Sequence, residues 1–519
     1  MNSKKFYLLI TFCVAFCSLS YELLIARTLG SLTGDIVTSQ SWTIGFYIAA
    51  LGFGAMTFHL WENVKQETRV LFYNTEILLS LLGLLAVPII LLMKMWFEYK
   101  AIFIGQPHAF ILCAQLMTFA VGYFSGFEIP LLLKLSQSDE KSESYVIGYH
   151  YFGSMVGAIT AAYFFQPHFA AVSIGVFIAS GNLLLSAIFL TKKLKPVVFY
   201  VVFSGVFVAG AFSAFKIDQK HAEITYFVTS PSLYAKSFQE LGELAHQYVK
   251  VDRHLSPYQT IDIVEKTAIE LSDEEGARAG VPQLTLFNRL YINSQLQVSL
   301  NYQDVYHETF AHVPINLSQK TPKKILILGG GDGILAFELA KYESVDITLV
   351  ELDEVILNLA QTHPLLLTMN HSVFSKESVQ VRVADAFSFM LKNRQKYDAI
   401  YADFPLPRDD ELMRLFSLEF YQALRRALVD DGFLVVDTPG QGEGHIESRI
   451  ADSLLSGGFE NVYLYGGVAR FALASVKSLD ISREATAQNM GAESKKYFAP
   501  PTRHVSTGHP ISLFRPGGR

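Results

Sequence analysis

Cysteine and charged residues are scarce in this chain of 519 residues. Only three cysteines occur, Cys13, Cys17 and Cys113, and no CxxC pair or Cys/His cluster accompanies them, which excludes a disulfide scaffold and offers no zinc-binding pattern. Charged residues make up 17% of the chain, against about 25% in ordinary soluble domains. The net charge of −6 and the pI near 6.2 also argue against a nucleic-acid-binding protein, which would carry a basic face.

Long apolar runs fill the first part of the sequence instead. Half of all residues are hydrophobic and the mean hydropathy is +0.28. A helix needs about 20 apolar residues to cross a bilayer. We predict seven membrane spans, at residues 6–26, 40–60, 71–93, 107–133, 145–165, 168–190 and 196–215. Beyond residue 216 the apolar runs shorten to strand length, which predicts a second part of the chain outside the bilayer.

Lysine and arginine in the short loops predict the orientation of these spans, because basic loops stay in the cytoplasm. Nine such residues fall on the side of the N-terminus and three on the other. The N-terminus is therefore expected inside, and seven spans then place the rest of the chain outside. We nevertheless expect a multi-pass cell-membrane protein with a cytoplasmic catalytic domain, in conflict with the count.

Two carboxylates, Glu22 and Glu128, lie inside predicted spans. An ionisable group at membrane depth is costly unless it is paired or faces water, so each is a candidate functional residue. An ion pair of Glu22 with Arg27, or a position near the interface, is the structural alternative. Gly153 and Gly157 form a GxxxG pair, which allows close contact between helices.

A glycine-rich turn between two strands is the clearest local motif of the second part. Residues 324–328 form a short apolar run, glycines follow from Gly329 to Gly333, and residues 334–341 have helical composition. A second strand, residues 346–350, ends at Glu351, about 20 residues after the glycines. Glycines let the backbone approach a ligand, and an acidic residue at the next strand end can bind both ribose hydroxyls. The motif therefore predicts nucleoside binding.

Further acidic residues end the strands that follow. Residues 379–390 are predicted to form a strand that ends at Asp385, and residues 396–407 a strand that ends at Asp403. A helical segment, 416–432, leads into a fifth strand at 433–440. Strands that alternate with helices indicate a doubly wound parallel sheet, in which ligands bind at the carboxyl ends of the strands.

These segments together resemble the spermidine synthase (polyamine aminopropyltransferase) family. The similar stretches are GGGDG, LVELDE, VADAFSFM, YDAIYADFPLP and FYQALRRALVDDGFLVV, with SPYQTIDIVE and LYINSQLQVSLNYQDVYHETFAHVPI upstream. The resemblance implies a Rossmann-like, methyltransferase-type α/β domain preceded by a small β domain and, as in some bacterial members, by a fused multi-pass α-helical membrane domain. The expected domains are 1–215 (membrane), 216–249 (linker), 250–318 (β domain), 319–505 (Rossmann-like) and 506–519 (tail).

The family transfers an aminopropyl group from decarboxylated S-adenosylmethionine to putrescine, giving spermidine and methylthioadenosine, without a metal or redox cofactor. The resemblance implies that Glu351 holds the ribose and Asp385 the adenine amino group. Asp403 would bind the amine and serve catalysis. The other residues implied at the donor are Gly329, Gly331, Asp332, Ala386 and Gln297, and those implied near the donor and acceptor chains are Tyr258 and Gln259.

Two positions depart from the family pattern. The acidic loop of the family carries a second acidic residue, the proposed base, three positions after the first, and Leu406 stands there. An acidic pair that precedes YHE in the family is replaced by Tyr302 and Gln303. Buried amine cations need opposing carboxylates, so Asp304 or the acidic run 409–411 are the substitutes that the sequence offers, although that run also fits a solvated loop.

Three functions therefore stay open at this stage. The leading one is aminopropyl transfer to putrescine. A different transferase that uses an adenosyl donor is the second, because the glycine turn and Glu351 suit any such donor. The third is a non-catalytic nucleoside or polyamine sensor coupled to the membrane domain. The expected partners are these small molecules and the lipid bilayer, without nucleic acid. Soluble members are often dimers or tetramers, which implies a homo-oligomer unless the membrane half prevents the same contacts.

Overall fold

The computed structural model describes residues 3–33, 36–62, 68–99, 107–136, 140–188, 208, 216–228, 238–271, 282–300, 303–405, 410–439, 444–467, 469–479, 490–491, 494–495 and 498–513. The chain divides into two compact units. Residues 1–287 and 291–295 form the first, and residues 288–290 and 296–519 form the second.

Apolar helices make up most of the first unit. They are α1 (Ser3–Thr33), α2 (Ile36–Glu62), α3 (Thr68–Tyr99), α4 (Pro107–Ser125), α5 (Glu128–Leu135), α6 (Glu140–Thr160) and α7 (Ala171–Ile188). Between α6 and α7 the chain continues through a wide helical turn, Ala161–Phe165, and a short helix, Gln166–His168.

Four segments are long and apolar enough to cross a membrane, namely Lys5–Thr33, Val37–Leu60, Thr68–Phe97 and Ala109–Leu135. They coincide with the first four predicted spans. Predicted spans 145–165 and 168–190 are also helical where described, and 196–215 lies outside the described residues except for residue 208. The count of seven spans and the orientation stay predictions.

The GxxxG pair of α6 lies against α1. A Cβ atom on Gly153 would stand 2.2 Å from the carbonyl oxygen of Phe12, and one on Gly157 would stand 2.7 Å from that of Phe16. Real Cβ atoms do not approach backbone oxygens so closely. The two glycines therefore allow the backbones of α1 and α6 to touch, as the motif predicts.

Two helices occupy the segment that the sequence assigned to a linker. They are α8 (residues 216–228) and α9 (Phe238–Tyr248). Tyr226 and Phe227 of α8 are buried in one apolar cluster with Leu241 of α9 and Val264. Much of residues 216–249 is thus packed structure, because α8 carries apolar side chains that the β sheet after it can bury.

The small β domain is a four-stranded sheet with the order β1–β2–β3–β4. Its strands are β1 (Val249–Leu255), β2 (Thr260–Leu271), β3 (Pro282–Ile292) and β4 (Gln295–Ser299). Residues 303–318, which the sequence assigned to this domain, are mostly buried helix α10 (Gln303–Ser318) within the second unit.

The second unit contains an eight-stranded mixed sheet. Its strands are β5 (Lys324–Gly329), β6 (Asp346–Glu351), β7 (Val379–Val383), β8 (Tyr397–Asp403), β9 (Leu428–Thr438), β10 (Asn461–Gly466), β11 (Arg470–Ser475) and β12 (Ala499–Arg503). The order is β12–β10–β11–β9–β8–β5–β6–β7. Strands β5 to β9 are parallel, which confirms the predicted doubly wound sheet, whereas β10, β11 and β12 extend it with antiparallel pairing.

Helices cover both faces of this sheet. They are α10, α11 (Ile334–Leu339), α12 (Glu354–Thr362), α13 (Pro364–Asn370), α14 (Ala386–Lys392), α15 (Asp410–Met413), α16 (Leu418–Ala427) and α17 (Gly444–Ser456). Separate apolar clusters fill the two sides. Strand β5 pairs with β6 on one side and with β8 on the other. The chain order reverses there, and such a point opens a crevice at the carboxyl ends of the strands.

One carboxylate of α17 holds the C-terminal segment through hydrogen bonds. Asp452 accepts hydrogen bonds from His504 Nε2 at 2.9 Å, from the hydroxyl of Thr507 at 2.6 Å and from the backbone N–H groups of Thr507 and His509 at 2.9 Å each. Burial opposes this charge, but the hydrogen bonds outweigh it and hold the pKa of Asp452 below its usual range. Residues 506–513 of the predicted tail are thus part of the packed second unit.

Candidate active site

The glycine turn after β5 is pressed against the end of β8. Gly329 has a φ of +83°, and a Cβ atom there would stand 2.0 Å from the carbonyl oxygen of Asp403. The N–H of Gly330 donates to that same oxygen at 3.2 Å. Only a residue without a side chain fits such a conformation at this distance. The turn therefore fixes Asp403 at the mouth of the crevice.

Gly331 gives the same turn its contact with the end of β6. A Cβ atom on Gly331 would lie 2.7 Å from Cγ of Glu351 and 2.9 Å from Cγ2 of Ile356. Glu351 also accepts the N–H of Asp353 through Oε1 at 2.9 Å. Burial raises the pKa of Glu351 to about 7, against the lowering effect of this hydrogen bond. The predicted glycine and the predicted ribose-binding carboxylate are therefore neighbours.

Gly331→Ala is expected to weaken methylthioadenosine binding at least about tenfold, because Glu351 or the turn must move to admit the methyl group. Isothermal titration calorimetry on the purified full-length chain measures this. Gly508→Ala is the control, since a Cβ atom on Gly508 meets open space, while its φ of +83° makes the backbone strain of the substitution larger than at Gly331, whose φ is not positive. Equal affinity in Gly331→Ala and the wild type would contradict a nucleoside site at this turn.

A second carboxylate lies beside Asp403. Strands β8 and β9 are parallel, and Ala402 pairs with Val436, so Asp403 and Asp437 follow on adjacent strands. Tyr306 of α10 donates its hydroxyl to Oδ1 of Asp403 at 3.2 Å, and the same hydroxyl lies beside Asp437 and lowers the pKa of that carboxyl group. The tyrosine thus bridges two acidic strand ends.

The electrostatics of this cluster are unusual. Burial, followed by the charges of Asp332 and Asp437, raises the pKa of Asp403 well above its ordinary value. Burial also raises the pKa of Asp437 to about 7, although the hydrogen bond from Tyr306 lowers it. Like charges and burial both disfavour the ionised forms. Two strand-end carboxyl groups that ordinarily ionise near pH 4 therefore hold their protons to higher pH.

No basic side chain neutralises the cluster. In the described part of the chain, Asp332, Glu351, Asp403 and Asp437 form no ion pair with lysine, arginine or histidine. Uncompensated buried carboxylates are costly. Their arrangement at a ligand-binding crevice suits a positively charged ligand, whose charge would replace the missing counter-ions.

The comparisons with known proteins agree with this geometry. Residues 303–458 match the family model described as the spermine/spermidine synthase domain. A polyamine aminopropyltransferase of Oceanobacillus iheyensis is 28% identical over 82% of this chain and 75% of its own length. Polyamine aminopropyltransferase 1 of Streptomyces coelicolor is 28% identical over 84% of this chain and 76% of its own length. The chain therefore carries a spermine/spermidine synthase domain at residues 303–458 and is similar to polyamine aminopropyltransferases, which are transferases, over most of its length.

The likeness to solved structures is looser. Spermidine synthase from Thermotoga maritima aligns with 48% of this chain and 78% of its own length, at 23% identity and a TM-score of 0.36. At that score the alignment supports no argument about individual residues. The similarity to aminopropyltransferases therefore depends on the sequence relatives. The doubly wound fold follows from the strand order of the eight-stranded sheet.

Other residues that the family resemblance implies have structural partners. Asp385 caps α14 by accepting the N–H of Ser388 at 2.9 Å, and its other oxygen accepts Nη2 of Arg414 at 2.8 Å. Ala386 is buried in the core. Strand β7 ends at Val383, before the predicted end, because Asp385 already caps the helix. Contact of Asp385 and Ala386 with adenine stays a prediction.

The residues predicted near the polyamine chains lie on the small β domain. Tyr258 is 56% exposed, and its N–H and that of Gln259 donate to Oγ of Ser256 in the turn between β1 and β2. Gln297 is exposed on β4. Their roles at the donor or acceptor stay predictions. The two departures from the family pattern, Leu406 and Tyr302, lie outside the described residues.

The structure adds Tyr306 and Asp437, which the sequence-based prediction missed. Asp437 carries the same signal as Asp403, an acidic residue at the end of a buried strand. Tyr306 stands in the YHE segment, but its role depends on packing of α10 against the sheet, with its ring 5.1 Å from that of Phe471. Among the described residues, no group of three or more histidine, cysteine, aspartate or glutamate side chains could hold a metal.

Proposed function

We propose that this chain transfers an aminopropyl group from decarboxylated S-adenosylmethionine to putrescine, giving spermidine and methylthioadenosine. The observation that carries the proposal is the half-buried acidic cluster of Asp332, Glu351, Asp403 and Asp437, to which the described residues supply no basic partner. Both substrates are cations, one a sulfonium with an ammonium group and the other a diammonium. A site of this charge favours them over neutral nucleosides or amines.

The reaction needs positioning and one proton acceptor. The unprotonated amine nitrogen of putrescine attacks the propyl carbon bonded to the sulfonium sulfur. A carbon–nitrogen bond forms, the carbon–sulfur bond breaks, and its electron pair leaves the sulfur as the neutral thioether of methylthioadenosine. One proton must leave the amine. Enzymes gain most here by holding the reacting atoms in line and by placing a base beside the amine.

We assign the positioning of the amine and the acceptance of its proton to Asp403 and Asp437, the two carboxylates that Tyr306 bridges. Asp403 orients the amine, and Asp437 accepts its proton in place of the acidic residue that the family carries where Leu406 stands. Tyr306 supports the assignment because its hydroxyl contacts both groups and fixes their spacing. The pKa of Asp437, raised to about 7 by burial, suits a base that works near neutral pH.

The substitutes that the sequence offered receive less support. The charges that act most strongly on Asp304 are those of Glu308 and Glu338, which do not belong to the acidic cluster. The side chains of the acidic run 409–411 lie outside the described residues. Asp437 is therefore the preferred base.

A product assay tests the function. Detergent-purified protein receives decarboxylated S-adenosylmethionine and putrescine, and mass spectrometry follows spermidine and methylthioadenosine. We expect both products in equal amounts. Methylthioadenosine binding without any product would contradict the transferase proposal for this acceptor and would favour the sensor. Methylthioadenosine formed with another amine as acceptor would retain aminopropyl transfer and correct the acceptor.

A further inference from the structure

Two carboxyl groups are buried without partners inside the helical unit. Glu76 of α3 is fully buried, and neither of its side-chain oxygens has a hydrogen-bond partner. Glu128, the first residue of α5, is 1% exposed, and its Oε2 also lacks a partner. Native proteins pair almost all buried polar atoms, so three such oxygens in an apolar bundle require an explanation.

The segments that carry these carboxyl groups pack together and on α1, since Phe72, one turn before Glu76, and Phe127, next to Glu128, are buried in one apolar cluster with Val14 of α1. The charge of Glu76 acts on Glu128, and both charges act on Tyr21 of α1. Tyr21 is 1% exposed and its hydroxyl is buried without a hydrogen-bond partner. Its ring lies against α3, since a Cβ atom on Gly83 would stand 2.1 Å from the ring. Three helices thus bring three unpartnered oxygen-bearing side chains into one region.

No basic residue compensates this region. Among the described residues, neither Glu76 nor Glu128 forms an ion pair with lysine, arginine or histidine. Glu22 follows Tyr21 and is 5% exposed, and its predicted ion pair with Arg27 is not formed between these two described residues. A carboxylate inside an apolar bundle is stable only when a positive charge or a proton neutralises it.

We propose that Glu76 and Glu128 bind one cation inside the helical unit, in a region that the phenol of Tyr21 borders. Oxygen ligands of this kind suit an alkali-metal ion or an alkylammonium group. Both supply a compact positive charge: the metal ion binds the oxygens as ligands, and the ammonium group donates hydrogen bonds to them. The site belongs to the first unit and is separate from the acidic cluster of the second unit, and it does not depend on the proposed transferase activity.

Equilibrium binding to the full-length chain in lipid nanodiscs tests the proposal. The probes are ²²Na⁺, ⁸⁶Rb⁺ and ¹⁴C-putrescine, with total ionic strength held constant by a bulky organic cation. The Asp403→Asn background is used for the putrescine arm, so that the second unit contributes little amine binding. We expect one site per chain for at least one probe, and the probe that binds identifies the source of the charge.

Glu76→Gln and Glu128→Gln should each weaken this binding at least about tenfold, because each removes one of two charges that face the cation. Tyr21→Phe retains both carboxyl groups and should weaken it by a smaller factor, which keeps the test decisive if the glutamine variants unfold. Glu143→Gln, an exposed glutamate on α6, is the matched control. Absence of a saturable site for all three probes, or equal binding in Glu76→Gln and Glu143→Gln, would overturn the proposal.

Discussion

Asp403→Asn should lower kcat/KM for aminopropyl transfer by about 10³-fold, while the affinity for methylthioadenosine changes less than about threefold. The carboxylate of Asp403 is held by the glycine turn and by Tyr306. Asparagine can keep those contacts through its amide oxygen. It removes the negative charge and turns an N–H toward the substrate ammonium, so the loss should fall on the amine and spare the nucleoside.

Steady-state kinetics with both substrates varied, together with calorimetry of methylthioadenosine, separate these effects. Asp430→Asn is the matched control, because Asp430 is exposed at the β9 turn of the same unit. A tenfold or greater loss of methylthioadenosine affinity in Asp403→Asn would mean that the residue supports the nucleoside site. Wild-type kcat/KM in this variant would exclude Asp403 from the reaction.

The sequence predicted those parts of the site that depend on short local motifs. A glycine turn after an apolar strand and an acidic residue at the next strand end predicted Gly331 and Glu351 as neighbours, and they are in contact. Asp403 follows the same rule, since parallel strands end at one edge of the sheet.

Contacts between distant segments were harder to predict. Asp437 lies beside Asp403 because β9 pairs with β8 in the sheet. A short sequence motif does not predict the order of strands in a sheet. Tyr306 reaches both residues only when α10 packs on the sheet, and the sequence assigned that segment to the β domain. Glu76 was not singled out from the sequence, because it stands among polar residues near one end of its predicted span. In the structure its side chain is completely buried.

The leucine at position 406 changes which residue is expected to act as the base. Leucine there removes the expected proton acceptor, which left a sensor open as an alternative. In the proposed mechanism, the acidic strand end at Asp437 supplies a carboxyl group beside Asp403, from a different strand. A base can move between positions in this way because proton transfer depends on its distance from the amine and on its pKa, and not on its place in the sequence.

Asp437→Asn should lower kcat by about 10²- to 10⁴-fold and change its dependence on pH. The pKa of Asp437 is raised to about 7 by burial, so its ionised, proton-accepting form prevails only above that pH. In the wild type, kcat/KM, which reports the free enzyme, should rise with pH through about 7 and then level off, and the rise in kcat should lie at lower pH because the bound cation favours the ionised carboxylate. In Asp437→Asn solvent must take the proton, so the residual rate should keep rising above pH 8 without a plateau.

The measurement is kcat and kcat/KM from pH 5.5 to 9.5, for the wild type, Asp437→Asn and Tyr306→Phe. Because the Tyr306 hydroxyl donates to Asp403, lies beside Asp437 and lowers the pKa of each, its loss should move the rising limb to higher pH and retain the plateau. That shift separates a positioning tyrosine from a merely structural one. An unchanged limb and a kcat within threefold of the wild type in Asp437→Asn would place the base elsewhere, and the acidic run 409–411 would be the next segment to test.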